Sequence, residues 1–147
     1  MHGLETAPAS ARLKHRVDGR LAAKAVDLAT PLIENAMRDR RFGDGGFLHV
    51  VVMDPARGPR EARFEDAILH ERSFGGDRAH WDADYAMYAR RKAEQSWREA
   101  RDNPQGAVCV EGFVVGASGA FEPFDQAYAG TVAMWLRALA THGEAIL

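Results

Sequence analysis

Two short apolar runs on either side of a Glu-Gly pair constrain the fold of this chain most. Ala107–Glu111 and Phe113–Ser118 are valine-rich, have the length of strands and are separated at Gly112. An acid or amide followed by glycine at a two-residue connection favours a tight hairpin, and glutamate is the less usual acid there, so the turn type stays open. The sequence therefore predicts an antiparallel strand pair in the last third of the chain.

Two further strands are predicted upstream of this hairpin. Phe47–Met53 is a short apolar, β-branched run, and the turn-forming segment Asp54–Gly58 ends it. Ala67–Phe74 has the composition of a second, more exposed strand, and glycines follow it. The charged stretch Arg60–Asp66 between them has no clear pattern.

Three segments carry apolar residues at the spacing of a helix face. The first begins at Asp18 and ends at the glycines near residue 43, and Pro31 either kinks it or divides it in two. The second is Trp81–Arg101, and the third opens at Glu122 with Gly143 as its predicted C-cap. The predicted apolar faces are Leu21, Ala25, Leu28, Leu32 and Ala36 in the first helix, Tyr85, Tyr88, Ala89, Ala93, Ser96, Trp97 and Ala100 in the second, and Ala127, Val132, Trp135, Leu136 and Leu139 in the third.

The order of these elements predicts the fold class. Helix, two strands, helix, two or more strands and helix fit neither a doubly wound sheet nor an all-β chain. They predict an α+β protein with an antiparallel sheet and helices packed on it. A chain of 147 residues that is 46% hydrophobic has the size and composition of one domain, which is expected over residues 17–147 after a loose leader at 1–16.

Composition excludes several classes of function. A net charge of −2 provides no field that attracts nucleic acid or an anionic membrane. No apolar run has the length of a membrane span, and residues 1–17 lack the apolar core of a secretory signal, so a cytoplasmic location is expected. The single cysteine, Cys109, excludes an intramolecular disulfide and a Cys-rich zinc site, and its apolar neighbours indicate a buried, inert thiol.

Motifs for metal, phosphate and acyl chemistry are missing from the sequence. No histidine pair has zinc-helix spacing, and the glycine-rich stretches at 43–46 and 75–77 do not match a phosphate loop, so no metal site is predicted. Ser118 lacks the context of a hydrolase nucleophile. Asp125 is interpreted as a first-turn helix acid that fixes the preceding turn, and a catalytic Ser–Asp pair is the alternative.

The segment Gly106–Asp125 resembles the C-terminal signature of the GlcG/HbpS-like family, whose members are often described as haem-binding or haem-degrading. That signature is a strand, a turn with glycine, a strand ending in Gly-x-x-Ser-Gly, and an acid six or seven residues on; at the serine step this chain has Gly116-Ala117-Ser118-Gly119. Arg90–Ala93 is similar to the basic step on the family's middle helix, and Val50–Asp54 to the end of its valine-rich strand. The resemblance covers roughly residues 20–145. It implies a profilin-like fold and assembly as a homodimer or larger homo-oligomer.

The resemblance implies a haem site, and two histidines are its candidate ligands. Haem iron takes His, Met, Cys or Tyr as axial ligand. His70 lies beside Glu71 and Arg72, where a surface ion pair is the alternative interpretation. His80 adjoins Trp81, and an aromatic wall there can hold a flat macrocycle, although a core stripe explains the same aromatic residues.

Three basic residues complete the predicted cofactor site. Arg91 and Lys92 match the family's basic step, and in a haem protein they would pair with the propionates. Arg72 follows a position where the family often has an arginine at the end of its second strand. A solvated surface is the alternative for all three. His49, within the first strand, is interpreted as a half-buried histidine satisfied by a local hydrogen bond.

Three functions stay open at this point. The resemblance favours haem or tetrapyrrole binding, with haem degradation as an extension of it. The lack of a convincing catalytic set favours a non-enzymatic oligomeric module that binds a small organic ligand or a partner protein. An accessory enzyme of glycolate- or diol-type metabolism is the third, and only the resemblance suggests it.

Overall fold

The structure, a computed structural model, describes residues 17–43 and 45–146, so the predicted leader at 1–16 lies outside the described residues. Within them the chain forms three α-helices and four strands. These are α1 (Gly19–Met37), β1 (Leu48–Met53), β2 (Ile68–Phe74), α2 (Tyr85–Glu99), β3 (Ala107–Val110), β4 (Phe113–Ser118) and α3 (Glu122–Ile146). Among the described helices, none combines the length and the apolar character needed to cross a membrane.

The four strands form one antiparallel sheet in the order β2-β1-β4-β3, so β2 and β3 are its edges. Side chains alternate between the two faces of a strand. Val50 and Val52 of β1 therefore join the core with α1 and α3, whereas Val51 and Met53 join a second core with α2. The prediction of an α+β fold, with helices packed on an antiparallel sheet, is confirmed.

The hairpin between β3 and β4 has the predicted two-residue connection. Val110 pairs with Phe113, and both connecting residues have positive φ, 52° at Glu111 and 89° at Gly112. Positive φ at both positions is the requirement of a type I′ turn, which matches the twist of the flanking strands. Glutamate is poorly suited to this conformation, because its Cβ crowds the backbone there.

Replacing Glu111 with asparagine is expected to raise the free energy of unfolding by about 1 kcal/mol, because asparagine tolerates the left-handed region better. The substitution also removes an ion pair with Arg137 at 3.2 Å, which contributes little because the Glu111 side chain is 72% exposed. Urea unfolding measures the change. Glu65→Asn, at an exposed position without positive φ, is the control and should give no gain. Equal stability of Glu111→Asn and the parent would contradict the strain argument.

Helix α1 runs through Pro31 without interruption, so of the two predicted alternatives, a kink or a division, the division is wrong. Asp18 is the N-cap, and its Oδ1 accepts from the Leu21 N–H at 2.9 Å. Thr30 does not cap a second helix; its hydroxyl donates to the Val26 carbonyl at 2.7 Å. Packing against α3 and the sheet holds the helix together where propensity alone would interrupt it.

The predicted apolar faces of α1 and α3 are partly wrong. Leu28 and Leu32 are 37% and 57% exposed, and Trp135 is 44% exposed. The residues that do face the core are mostly alanine and valine, since small side chains let two helices approach one sheet closely. They are Leu21, Ala22, Ala25, Val26, Ala29 and Ile33 in α1, and Tyr128, Ala129, Val132, Ala133, Leu136, Leu139 and Ala140 in α3. Helix α3 also continues past Gly143, which is therefore not its C-cap.

Helix α2 is shorter than predicted at both ends. It begins after Asp84, whose Oδ1 accepts from the Met87 N–H at 3.1 Å, and a separate 3-10 turn precedes it at Arg78–His80. It ends where Ala100 adopts the left-handed conformation with φ of 54°. Ala100 is thus exposed and outside the apolar stripe, and Tyr88 of the predicted stripe is 42% exposed.

Cys109 is half-buried rather than fully buried as predicted. It lies on β3, and an edge strand has one side open to solvent. Its side chain packs against the core on the α2 side of the sheet. Its backbone N–H donates to Asp102 Oδ1 at 2.8 Å, so its position is held by the backbone as well as by packing.

Candidate functional site

A groove of about 880 Å³ lies between edge strand β2 and the N-terminal part of α2. The groove is open because β2 is an edge strand that pairs with β1 on one side only. In addition, the register shifts between Val52 and Met53, and this β-bulge leaves Leu69 as an extra residue in β2. Its lining combines apolar and charged side chains. The lining residues are Phe64, Glu65, Ile68, Leu69, His70, Glu71, Asp84, Met87, Arg90, Arg91 and Glu94.

Half of the charged side chains that line the groove are paired with a charge of opposite sign, namely those of Glu71, Arg90 and Glu94. Arg90 makes a bidentate contact with Glu71, with Nε and Nη2 at 2.7 and 2.9 Å from the two carboxylate oxygens. Glu94 pairs with Arg98 at 2.7 Å. The Arg91 guanidinium, by contrast, is exposed and has no hydrogen bond or ion pair to any described residue. Arg91 is therefore the cation of this groove that is available to a ligand.

A buried histidine holds Glu71 in place from inside the sheet. His49 is 3% exposed; its Nε2 lies 2.9 Å from Glu71 Oε1 and its Nδ1 lies 2.8 Å from Ser73 Oγ. Burial lowers the pKa of His49, so the ring is neutral and donates to the carboxylate through Nε2. Its sequence-based interpretation as a histidine satisfied by local hydrogen bonds is confirmed, although it is more deeply buried than predicted.

Two opposing effects, burial and hydrogen bonding, act on the pKa of Glu71. Burial alone would raise it, but hydrogen bonds from Arg90 and His49 outweigh burial and lower the pKa below its ordinary value. Glu71 is therefore a carboxylate with its acceptor positions largely used, and the Arg90–Glu71–His49 chain is a rigid wall of the groove.

His70 and Arg72 lie on the sheet face opposite α2. They pair with Val52 and Val50, whose side chains face α1 and α3, and directly opposed residues of two strands share a face. Arg72 accordingly pairs with Asp27 of α1 at 2.6 Å and donates to His70 Nε2 at 3.3 Å. Burial, and then the Arg72 charge, lower the pKa of His70. His70 still lines the groove, because β2 is the edge.

His80 and its aromatic neighbours lie apart from the groove. His80 is exposed in the turn before α2. Trp81 packs on Phe47 and Tyr85, with ring centroids 5.7 and 5.6 Å apart, and meets the edge of the His49 ring at 6.4 Å. These aromatic residues form a half-buried cluster over one end of the sheet. Neither core includes Trp81 or Tyr85, and Tyr88 is 42% exposed, so the core interpretation of the aromatic stripe is not confirmed.

Lys92 belongs to a buried polar cluster at the same end of the sheet, where Ser118 of β4 pairs with His49 of β1. Its Nζ lies 3.2 Å from Asp125 Oδ2 and 3.3 Å from Ser118 Oγ, and the side chains of Lys92 and Asp125 are 15% and 1% exposed. Asp125 Oδ1 accepts from the Ala120 N–H at 2.7 Å, which confirms that this acid fixes the turn before α3. Burial raises the pKa of Asp125 to about 6, against the opposing effects of Ala120 and Lys92.

The five predicted cofactor residues thus occupy four places, because His80 lies in the turn before α2 and Lys92 in the buried cluster with Asp125. His70 and Arg91 line the groove, Arg72 contacts His70 from the α1 side, and His80 and Lys92 lie elsewhere. Within the described part of the chain, no group of three or more His, Cys, Asp or Glu residues is arranged to hold a metal ion.

Sequence reasoning missed Phe64, Met87 and the Arg90–Glu71 pair. Only the order of strands in the sheet brings these residues together, and one signal for that order is present in the sequence: the charged composition of β2, which is typical of an edge strand. No protein family, curated protein or solved structure matches this chain. The resemblance to GlcG/HbpS-like proteins therefore stays a prediction.

Proposed function

We propose that this protein binds an amphipathic organic anion in the groove between β2 and α2. The observation that carries the proposal is the unpaired guanidinium of Arg91 beside an apolar lining of Phe64, Ile68 and Met87. A carboxylate of the ligand would pair with Arg91, since a guanidinium offers a planar pair of donors that fits a carboxylate. The apolar part of the ligand would cover the lining residues.

The groove is large enough for an organic ligand. Its volume of about 880 Å³ is in the range of ligand sites in proteins. Met87 is flexible and polarisable, which lets it fit an irregular apolar surface. The carboxylates of Glu71 and Glu94 are held by Arg90 and Arg98, whereas Glu65 and Asp84 have no ion pair within the described residues. The carboxylate of the ligand would therefore have to lie at Arg91 and away from those two acids.

A tetrapyrrole such as haem is the specific candidate of this class. It is flat and apolar with carboxylates at one edge, and the resemblance of Gly106–Asp125 to haem-binding proteins favours it. Met87 in the groove is of a kind that ligates haem iron, whereas the Nε2 of His70 already accepts from Arg72, so His70 would ligate only if that hydrogen bond were broken. Bound haem would supply redox-active iron, while Arg91 would orient its propionates. We propose binding without a reaction, and the cytoplasmic location and the homo-oligomer stay predictions.

Titration with haem, followed in the Soret region, tests the proposal. The expected result is a saturable one-to-one shift that Arg91→Gln weakens about fivefold, the value of about 1 kcal/mol for a partly solvated ion pair. Arg101→Gln is the matched control, since Arg101 is exposed, paired with Glu99 and outside the groove. Equal affinities for Arg91→Gln and the parent would contradict the site.

Two further variants separate iron ligation from simple adsorption. His70→Ala or Met87→Leu should change the Soret position if that residue ligates the iron, whereas His80→Ala, in the exposed turn, should leave it unchanged. If haem does not bind, the binding of aromatic carboxylates is measured by thermal shift, with the parent protein and Arg91→Gln compared in the same way. Loss of binding only in His80→Ala would overturn the assignment of the groove.

A further inference from the structure

The two edges of the sheet differ in how much of their backbone is hydrogen-bonded. At the β3 edge, the Cys109 N–H donates to Asp102 Oδ1 at 2.8 Å, and Asn103 forms a backbone bridge to Ala107. Within residues 17–43 and 45–146, no hydrogen bond reaches the outer edge of β2 at His70–Phe74. An open edge of this kind is a template for a further strand.

The charged side chains of β2 do not cover this edge. Glu71 is held against α2 and Arg72 against α1 by their ion pairs, so they are drawn to opposite faces of the sheet. The register shift at Leu69 interrupts the edge on one side. The regular part that is left, His70–Phe74, is about 17 Å long for its five residues.

Three side chains on one face of α2 run beside this open edge. Asp84, Met87 and Arg91 are spaced three and four residues apart, so they share a helix face, and all three line the groove. Arg91 is the unpaired cation, Met87 is apolar, and Asp84 has no ion pair with a described residue. The groove thus offers a cation and an anion about 10 Å apart, at 1.5 Å of rise per residue.

Helix α2 and strand β2 run in opposite directions. Phe47, which precedes β1, contacts the first residue of α2, and β1 starts beside the end of β2. Trp97, near the end of α2, belongs to the same core as Ile68, the first residue of β2. A strand added antiparallel to β2 therefore runs along α2 from Asp84 towards Arg91.

We propose that the groove binds an extended peptide that adds as an antiparallel strand beside β2, with its C-terminal carboxylate at Arg91 and a basic side chain at Asp84. The proposal rests on the proposed function in one contact, the carboxylate at Arg91. A spacing of about 10 Å is three residues of a strand at about 3.4 Å each, so the basic residue lies three positions before the last.

The side chains of such a peptide alternate between two directions. The basic residue and the last residue but one point the same way, towards α2, and an apolar side chain at the latter position covers Met87. Hydrogen bonds from the backbone of β2 would contribute affinity, and the side-chain contacts would contribute specificity.

Calorimetric titration with the peptide acetyl-Lys-Val-Leu-Val, which has a free carboxyl end, tests the proposal. The parent protein should bind one peptide per chain, and the same peptide with a C-terminal amide about fivefold more weakly. Arg91→Gln should bind both peptides at that weaker level, whereas Arg101→Gln, outside the groove, should keep the preference for the carboxylate. A preference that survives in Arg91→Gln would overturn the placement of the carboxylate.

The position of the lysine is tested on both sides of its contact. Norleucine in place of the lysine should weaken binding to the parent about twofold, the effect of an exposed ion pair. Asp84→Asn should bind the two peptides equally, and asparagine still caps α2. A loss that is the same in Asp84→Asn and in the parent would overturn the contact with Asp84.

Two N-methylated peptides test the strand pairing. Adjacent N–H groups of a strand point to opposite sides, so only one of the middle valine and the leucine donates to β2. Methylation at that residue should weaken binding at least about fivefold, and methylation at the other should leave the affinity unchanged. Equal affinities of the two would overturn strand addition.

The peptide and haem titrations separate this proposal from the proposed function. A peptide that does not bind would overturn strand addition and leave a small anion or another protein as the occupant of the groove. Haem binding does not use the backbone of β2, so a haem shift that Arg91→Gln weakens would still support the proposed function in that case. Peptide binding without a haem shift would support strand addition and contradict the tetrapyrrole.

Discussion

Lys92→Met is expected to lower the free energy of unfolding by about 3 kcal/mol at neutral pH, because removing one partner of a buried ion pair leaves the other charge without compensation. Asp125 is 1% exposed, and Lys92 Nζ is its cationic partner at 3.2 Å. Methionine keeps the length and packing of the lysine stem, so the measured loss of stability is due to the removal of the ammonium group. Ser118 loses a hydrogen-bond partner in the same variant.

The deficit of Lys92→Met should grow as the pH rises above 6. The folded protein holds the Asp125 proton up to a pKa of about 6, against an ordinary value of 3.8. A raised pKa stabilises the folded state below the unfolded pKa, and that contribution is lost as the pH rises through the folded pKa. Without Lys92 the folded pKa is higher still, so the variant continues to lose stability above pH 6 when the parent no longer does.

Urea unfolding at pH 5 and pH 8 measures both effects. Lys24→Met is the matched control, because Lys24 is an exposed lysine on α1 and should cost less than about 0.5 kcal/mol. A deficit that is equal at the two pH values would show that Asp125 does not carry the charge, and a deficit as small as that of Lys24→Met would show that the pair is solvated.

Gly119→Ala is expected to destabilise the protein by about 3 kcal/mol or more, the sum of backbone strain and overlap in a packed site. Gly119 has φ of 147°, which side chains rarely adopt. A Cβ there would overlap the carbonyl oxygen of Phe47 and the backbone of Leu48. The glycine therefore lets the end of β4 lie against the start of β1.

Gly130→Ala is the control for this substitution. Gly130 is inside α3, and the nearest atom to an added Cβ is Val108 Cγ1 at an ordinary 3.8 Å. Alanine should stabilise that helix by about 0.5–1 kcal/mol. Thermal unfolding of the two variants should therefore move in opposite directions. A Gly119→Ala protein that unfolds at the parental temperature would contradict this expectation, because it would show that the end of β4 can move away from the start of β1 at little cost in stability.

The elements of this fold were predictable where the signal is local. The hairpin at Glu111-Gly112 and the bounds of β4 follow from adjacent residues, and so does the N-cap at Asp18. The predictions failed where tertiary packing decides. Leu28, Leu32 and Trp135 are large and lie at helical spacing, so the sequence pattern favours them as core residues. The core is instead filled by a neighbouring stripe of mostly small residues, which a search for large apolar side chains overlooks.

The candidate site was less predictable because it depends on pairing between distant segments. Arg90 and Glu71 are 19 positions apart, and Lys92 and Asp125 are 33 apart. Adjacent residues also diverge: Arg91 lines the groove while Lys92 is buried beside Asp125. In β2 the adjacent residues His70 and Glu71 point to opposite faces of the sheet, but only the pairing with β1 decides that Glu71 is the one that faces α2, and the sequence does not contain that pairing.

Amide chemical-shift mapping with zinc protoporphyrin tests most directly whether the groove is the binding site. We expect the largest shifts in residues 64–71 and 84–94, which include the groove lining, and we expect Arg91→Gln to need about five times more zinc protoporphyrin for the same shifts. Shifts centred instead on residues 111–113 and 134–142, which line a smaller hollow across the sheet, would contradict the proposed site. An unchanged spectrum at saturating zinc protoporphyrin would contradict tetrapyrrole binding itself.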